Sequence, residues 1–274
     1  LKMRSQILKI FRYKALIIAS ERYILGNMRI IFMGTPDFSV SILEAIYNAG
    51  HDVALAVSQP DKPAGRDLKI KPTPVKQFCQ EHNIPILQPD KIRNNTEFIN
   101  ELKKINPDFI VTAAYGKILP IEILDIPKIA PLNVHASLLP KYRGAAPIQW
   151  AILDGEKETG VTIMQMDAGI DTGDMLYKRS IKIEDTDTFE TLHDKLMVLG
   201  GEAIVEALEL LEAGALEPEK QDNALSCHAS LITKEMGNID FHKSAIEINR
   251  LVRGLNPWPS AYTFYKGKQL KVWE

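Results

Sequence analysis

Asn133-Val134-His135 is the tripeptide of this chain best suited to chemistry. In a strand, residues i and i+2 share one face, so the spacing sets an amide donor beside an imidazole. An imidazole titrates near neutrality, at roughly pH 6.5 when unperturbed, and can take up or release a proton under ordinary conditions. A side-chain amide N–H can donate to an oxygen on which negative charge develops. By type alone, a lone Asn or His is more often a hydrogen-bonded structural residue. The surroundings argue for a site. The run continues through Pro140, then Lys141-Tyr142-Arg143-Gly144, then Ala145 to Ile148. A polar pair feeding a Pro- and Gly-marked loop at a strand end is where α/β proteins hold ligands. A second cluster, Asp167-Ala-Gly-Ile-Asp171-Thr-Gly-Asp174, packs three acids and two glycines into one short stretch. Its spacing does not match an EF-hand. These acids are either solvated turn residues or include one that orients and charges His135.

The elements that must position these residues alternate. Residues 28–33 form an apolar run suited to a buried parallel strand. A helix opens at Pro36 and Asp37, runs through Asn48 and stops at Gly50. Strands follow at 52–58, 84–87, 108–113 and 132–135, with helices at 74–82, 95–105 and 147–153. Residues 161–166 and 175–183 are strand-like, and 188–211 form a long amphipathic helix. This order predicts an α/β fold: a Rossmann-like, doubly wound, mostly parallel sheet. Gly34-Thr35-Pro36 stands where a dinucleotide fold has its glycine turn, yet GxGxxG is absent, so no nicotinamide cofactor is expected. That turn is either a plain connection or a ligand-facing loop.

The composition is that of a globular protein: 274 residues, 45% hydrophobic and 25% charged, with a net charge of −2. No stretch reaches the ~18 consecutive apolar residues of a membrane span. The two cysteines, Cys79 and Cys227, form no CxxC pair, and the six histidines form no HExxH pair. Neither a disulfide framework nor a metal site is expected. Residues 1–27 carry six basic residues and one acid, which leaves 27 basic against 34 acidic residues in the rest. Overall charge therefore gives no drive toward nucleic acid, and any such contact needs a local basic patch. The basic leader is read as an extension preceding a start at Met28. A cytoplasmic location follows, or an organellar one if the leader is a transit peptide.

One local patch exists. Residues 58–76 hold five basic residues, Lys62, Arg66, Lys69, Lys71 and Lys76, among two acids and four prolines. No helix or strand is expected before residue 74. Long loops of this kind are functional or disordered. Residues 212–235 turn polar and read as a linker. Residues 236–274 then supply one helix, an Asn256-Pro-Trp-Pro259 turn and two strand-like runs, too little for a core of their own.

Residues 133–144, Asn-Val-His-Ala-Ser-Leu-Leu-Pro-Lys-Tyr-Arg-Gly, with Asp171-Thr-Gly173 downstream, resemble the enzymes that use 10-formyltetrahydrofolate. Gly34-Thr-Pro-Asp-Phe38, the stretch from Gln59 to Arg66, Arg143-Gly-Ala-Ala-Pro-Ile148 and Asn256-Pro-Trp-Pro259 are similar to the branch that formylates methionyl initiator tRNA. The resemblance spans residues 28–274 and implies several roles. His135 would be the general base, Asn133 the oxyanion donor, and Asp171 the group that tunes His135. Ser137, Leu138, Leu139, Pro140 and Tyr115 would contact folate. Arg66 and Lys69 would contact tRNA, and Phe38 the methionine side chain. It implies 10-formyltetrahydrofolate as co-substrate, no metal, and a monomer. It divides the chain into an extension (1–27), a catalytic domain (28–211), a linker (212–235) and the start of an incomplete tRNA-binding β-barrel (236–274). Two rivals stay open: a formyltransferase acting on glycinamide ribonucleotide or an amino sugar, and a non-catalytic folate- or RNA-binding module.

Overall fold

A computed structural model describes residues 26–64 and 69–274. Arg66 and nearly all of the leader lie outside the described residues. A seven-stranded sheet organises the molecule. Its strands are β1 (Arg29–Gly34), β2 (Asp52–Val57), β5 (Ile86–Leu87), β6 (Phe109–Ala113), β7 (Ala130–His135), β9 (Glu158–Gln165) and β10 (Met175–Lys182). Two short strands, β3 (Lys62–Ala64) and β4 (Lys69–Lys71), pair apart from it, and β8 (Arg143–Gly144) lies beyond β7. The order across the sheet is β10-β9-β7-β6-β1-β2-β5. Five neighbouring strands run parallel, while β9 is antiparallel to β7 and β10 to β9. The mostly parallel, doubly wound α/β expectation is met.

The sequence explains the layering. Ile30, Ile31, Phe32 and Met33 are all fully buried, as an interior parallel strand covered on both faces requires. One face is closed by the helices Asp37–Asn48 and Phe189–Glu212, whose Ile42, Leu43, Leu196 and Ile204 pack with Phe32, Phe109 and Leu132. The other face gathers Ile31, Met33, Leu55 and Ile110 against Leu102 of the helix Thr96–Ile105 and against Leu119 and Ile123. The chain builds β1, β2 and β5 outward, then returns to lay β6 and β7 on the other side of β1. Its switch point lies between β1 and β6, where the carboxyl ends of parallel strands open a crevice.

Two expectations change. Residues 58–76 are not strand-free, because β3 and β4 form a small antiparallel hairpin. Three-residue strands carrying Pro63 leave no alternation to detect, and an isolated ribbon tolerates proline because no interior ladder is broken. The stretch 212–235 is more than a tether. Glu219 exchanges two backbone hydrogen bonds with Met175, and β11 (His228–Ala229) pairs in parallel with β8. Beyond it, the helix Ala245–Gly254 is opened by a Ser244–Glu247 capping box. Leu251 and Leu255 lean on Trp150 and Leu153 at the helix Pro147–Leu153. A hairpin of β12 (Ala261–Tyr265) and β13 (Lys268–Val272) completes the described chain. No helix among the described residues is long and apolar enough to cross a membrane.

Candidate active site

Asn133 and His135 occupy the carboxyl end of β7 and share the face opposite Leu132 and Val134, which point into the core. Asn133 is held from the neighbouring strand. The Thr112 hydroxyl of β6 lies 2.8 Å from its Oδ1 and donates to it. That bond occupies the amide oxygen and leaves the Nδ2 hydrogens for the cavity that Asn133 lines.

His135 is buried, and its two nitrogens differ. Nε2 lies 2.8 Å from the Tyr142 carbonyl oxygen. A carbonyl only accepts, so Nε2 carries the hydrogen and Nδ1 is the free nitrogen of the neutral ring. Nδ1 faces Asp171 Oδ1 at 3.6 Å. This is longer than a direct hydrogen bond, yet close enough for a proton gained at Nδ1 to meet a carboxylate. Asp171 is itself fixed. Its Oδ2 accepts the Gly144 N–H at 2.8 Å. Its backbone takes the left-handed conformation, φ 52°, which Asp tolerates better than most residues.

The three side chains line one cavity of about 740 Å³ at the strand ends, within the range of pockets that hold drug-sized ligands. Its apolar lining includes Tyr115, Ile118, Leu119, Met164 and Met166. It also carries Phe38, Phe189 and His193, with ring centroids 5.8 Å apart for Phe38–His193 and 5.5 Å for Phe189–His193. Phe38 therefore lines the cavity while also packing in the core. Burial of Tyr115 pushes its phenol up to about 12. The Gly34–Pro36 turn does both things that were open for it. Pro36 borders the cavity, while the Thr35 hydroxyl and the Gln59 amide reach the Tyr115 carbonyl at 3.3 and 2.9 Å and pin that loop.

Ser137, Leu138, Leu139 and Pro140 are not among the residues lining the cavity. They turn onto β9 instead. The Thr162 hydroxyl donates to Ser137 O at 2.7 Å and accepts the Leu139 N–H at 3.1 Å, and Ser137 Oγ donates to Lys141 O at 2.8 Å. Thr162 sits opposite His135 in the sheet register, so this turn is tied to the strand beside His135. Lys69 contributes backbone to β4, far in sequence from the cavity wall, and Lys76 is paired with Asp61 at 2.5 Å. Asp61 is held below the usual carboxylate range first by the Gln88 amide and then by Lys76. Among the described residues, no group of three or more His, Cys, Asp or Glu converges as a metal site would.

The comparisons with known proteins agree with this architecture. Residues 28–208 match the formyl transferase family, and residues 231–274 match the formyl transferase C-terminal domain. A methionyl-tRNA formyltransferase of Caldanaerobacter subterraneus is 56% identical over 247 residues, covering 90% of this chain and 80% of the relative. The chain belongs to the methionyl-tRNA formyltransferase family. It is a transferase. Its fold recurs in solved structures of lower identity. An N-formyltransferase from Helicobacter canadensis, in complex with folinic acid and dTDP-3-aminofucose, superposes with a TM-score of 0.68 at 23% identity, over 88% of this chain and 85% of that one. HypX from Aquifex aeolicus, in complex with tetrahydrofolic acid, gives 0.65 at 20% identity over 91% of this chain, which spans only 38% of that longer one.

In this formyltransferase, several residues of the site carry no motif. Thr112 is the only hydroxyl in the apolar run Phe109–Ala113, a signal that could have marked it. Met164 reads as an ordinary β9 residue, and Met166 as the apolar residue just past it. His228, Ser230 and Leu231 wall the cavity from within the polar stretch read as a linker. Nothing local distinguishes them, because only the return of the chain onto β8 brings them there.

Proposed function

We propose that the chain transfers a formyl group from 10-formyltetrahydrofolate to the α-amine of methionine esterified to initiator tRNA. The observation that carries this is the convergence of Asn133, the free Nδ1 of His135 and the Asp171 carboxylate on one cavity, in a chain of this family. Nδ1 of His135 takes a proton from the attacking amine, acting as general base. Asn133 Nδ2 donates to the formyl oxygen as negative charge develops there. A donor of this kind is typically worth about 3–4 kcal/mol of barrier. Asp171 faces the imidazolium so formed and stabilises it, and the proton held at Nδ1 then passes by way of this carboxylate to the departing folate nitrogen, which restores neutral His135 and the Asp171 carboxylate.

The apolar lining around Tyr115, Leu119 and Met166 suits a flat heterocycle, and solved neighbours named with tetrahydrofolic and folinic acid support a folate donor for this fold. The turn Ser137–Pro140, tied to the strand beside His135 through Thr162, would contact the folate donor, as the resemblance implies. Phe38, beside His193, would receive the methionine thioether, since sulfur packs well on aromatic rings. Arg66 and Lys69 would meet tRNA phosphates, a contact that weakens as salt rises. In this reading residues 28–211 carry the chemistry, and residues 236–274 begin the unit that grips the tRNA.

The test is formyl transfer from labelled 10-formyltetrahydrofolate to charged initiator tRNA, with glycinamide ribonucleotide as the competing acceptor. The tRNA is expected to be formylated and the nucleotide not. His135→Ala and Asp171→Asn should each lower turnover by roughly 10²–10⁴-fold while folate binding persists. Near-normal turnover in either variant refutes the assignment of that residue.

A further inference from the structure

Gln221, in the polar connector, spends both its amide nitrogen and its amide oxygen on the loops that carry the site residues. Its Nε2 donates to Asp171 O at 2.9 Å and to Gly173 O at 2.7 Å, and its Oε1 accepts the Arg143 Nε–H at 2.9 Å. A second connector residue, Asn223, accepts from Arg143 Nη2 at 2.9 Å. These partners lie on the two loops that must be in register for the site to exist. Asp171 and Gly173 belong to the acid-rich loop after β9. Arg143 precedes Gly144, whose N–H holds the Asp171 carboxylate. One amide thus joins the loop that carries the carboxylate to the loop that aims it.

The join is anchored on both sides. Upstream, Glu219 exchanges two backbone bonds of 2.8 Å with Met175. Downstream, Arg143 N donates to Cys227 O at 3.0 Å, and Ala145 N to Ala229 O at 2.9 Å. Gln221 cannot drift without dragging a strand pairing with it. Asp171 also needs such support, because its left-handed backbone is one that a non-glycine residue keeps only when its surroundings enforce it.

We infer that Gln221 is a positioning residue for the transfer reaction: it fixes the Asp171 backbone so that the carboxylate meets His135 Nδ1, and it thereby makes the connector to the second domain a part of the catalytic geometry. This inference rests on the role proposed above for Asp171. It gives the cavity's connector wall a purpose beyond shape, since movement of the second domain would be felt at the carboxylate.

The experiment compares the full chain with Gln221→Met, which keeps side-chain length and removes all three bonds, and with Gln221→Glu, which keeps an acceptor for Arg143 and removes both donors. For both, kcat is expected to fall about 10- to 100-fold, the scale of a small misplacement of a reacting group. KM for the formyl donor should change by less than about threefold. The decisive readout is a cycle with Asp171→Asn, followed by single-turnover transfer of labelled formyl. If Gln221 acts through Asp171, Gln221→Met changes the residual rate of Asp171→Asn by less than about twofold. Equal losses in both backgrounds overturn the inference, as does wild-type kcat in either single variant while Asp171→Asn is inactive. If Gln221→Met does not fold, Gln221→Glu decides by the same measurements. Normal turnover of Asp171→Asn itself defeats the proposed role of Asp171, and is recognised separately from failure of the Gln221 inference.

Discussion

Replacing Thr112 with valine isolates the orientation of Asn133 from its presence. Thr112 is buried on β6, and valine has nearly its shape, so no cavity opens. The substitution deletes the hydroxyl that lies 2.8 Å from Asn133 Oδ1. Asn133 stays on β7 with its backbone ladder to β6 and β9 intact. The amide loses the bond that fixes both its flip state and its rotation, so Nδ2 is no longer held toward the cavity. A neutral hydrogen bond is worth about 1 kcal/mol net. Removing an oxyanion donor altogether costs about 3–4 kcal/mol. The loss of orientation should lie between them, about 1–2 kcal/mol, which is roughly a 5- to 30-fold fall in kcat. Asn133→Ala should cost about 10²–10³-fold. The assay is steady-state formyl transfer to charged tRNA, with folate binding measured separately and expected to be unchanged. Thermal unfolding should shift by only about 2–4 °C for a loss near 1 kcal/mol in a chain of this size. A kcat for Thr112→Val within about twofold of the parent would show that the Thr112 hydroxyl does not aim the donor. That result would remove the stated basis for placing Nδ2 in the cavity.

Gly144→Ala should damage both fold and turnover: at φ 111° an added Cβ would lie 2.8 Å from Ala229 O and 2.9 Å from His228 Cε1. A stability loss of about 1–3 kcal/mol by denaturant unfolding is expected, with turnover falling further because the Gly144 N–H moves off Asp171. Asp187 is buried, and although burial opposes its charge, Lys195 at 2.7 Å, the Glu184 N–H and Thr191 together hold its carboxyl below the usual range. Asp187→Asn should therefore cost about 1.5–3 kcal/mol at neutral pH. The sign is set by the lowered pKa: the advantage of the parent is complete above the ordinary carboxylate range, about pH 4, and disappears as pH falls through the lower folded value. Unfolding measured at pH 7 and in strong acid checks this, and a constant difference between the two would contradict it.

Much of this protein was legible in residue order because the information was local. Apolar runs such as Ile30–Met33 suit buried parallel strands, and the polar-apolar spacing of residues 188–211 suits a surface-packed helix, so their alternation pointed to the α/β class. Asn133 and His135 were legible as neighbours because strand geometry alone puts i and i+2 on one face. The misses were also local in origin. The β3–β4 hairpin is too short and too proline-rich to show a period. The hydrogen bonds that tie the turn Ser137–Pro140 to Thr162 on β9 join separate segments, and no local pattern marks them.

The amino-acid sequence by itself determined the fold class, the family and the identity of the polar residues at the end of β7, since each of these depends on short-range pattern. Tertiary structure alone decided which nitrogen of His135 is free, because the Tyr142 carbonyl that claims Nε2 is placed by a loop closure. It alone brought Asp171 to that free nitrogen, 36 residues away in the chain, and gave Asn133 its orienting hydroxyl from another strand. It alone returned Gln221 and His228 to the site from what read as a linker. These contacts join residues far apart in the chain, and no pattern within a single segment encodes the distance between two segments.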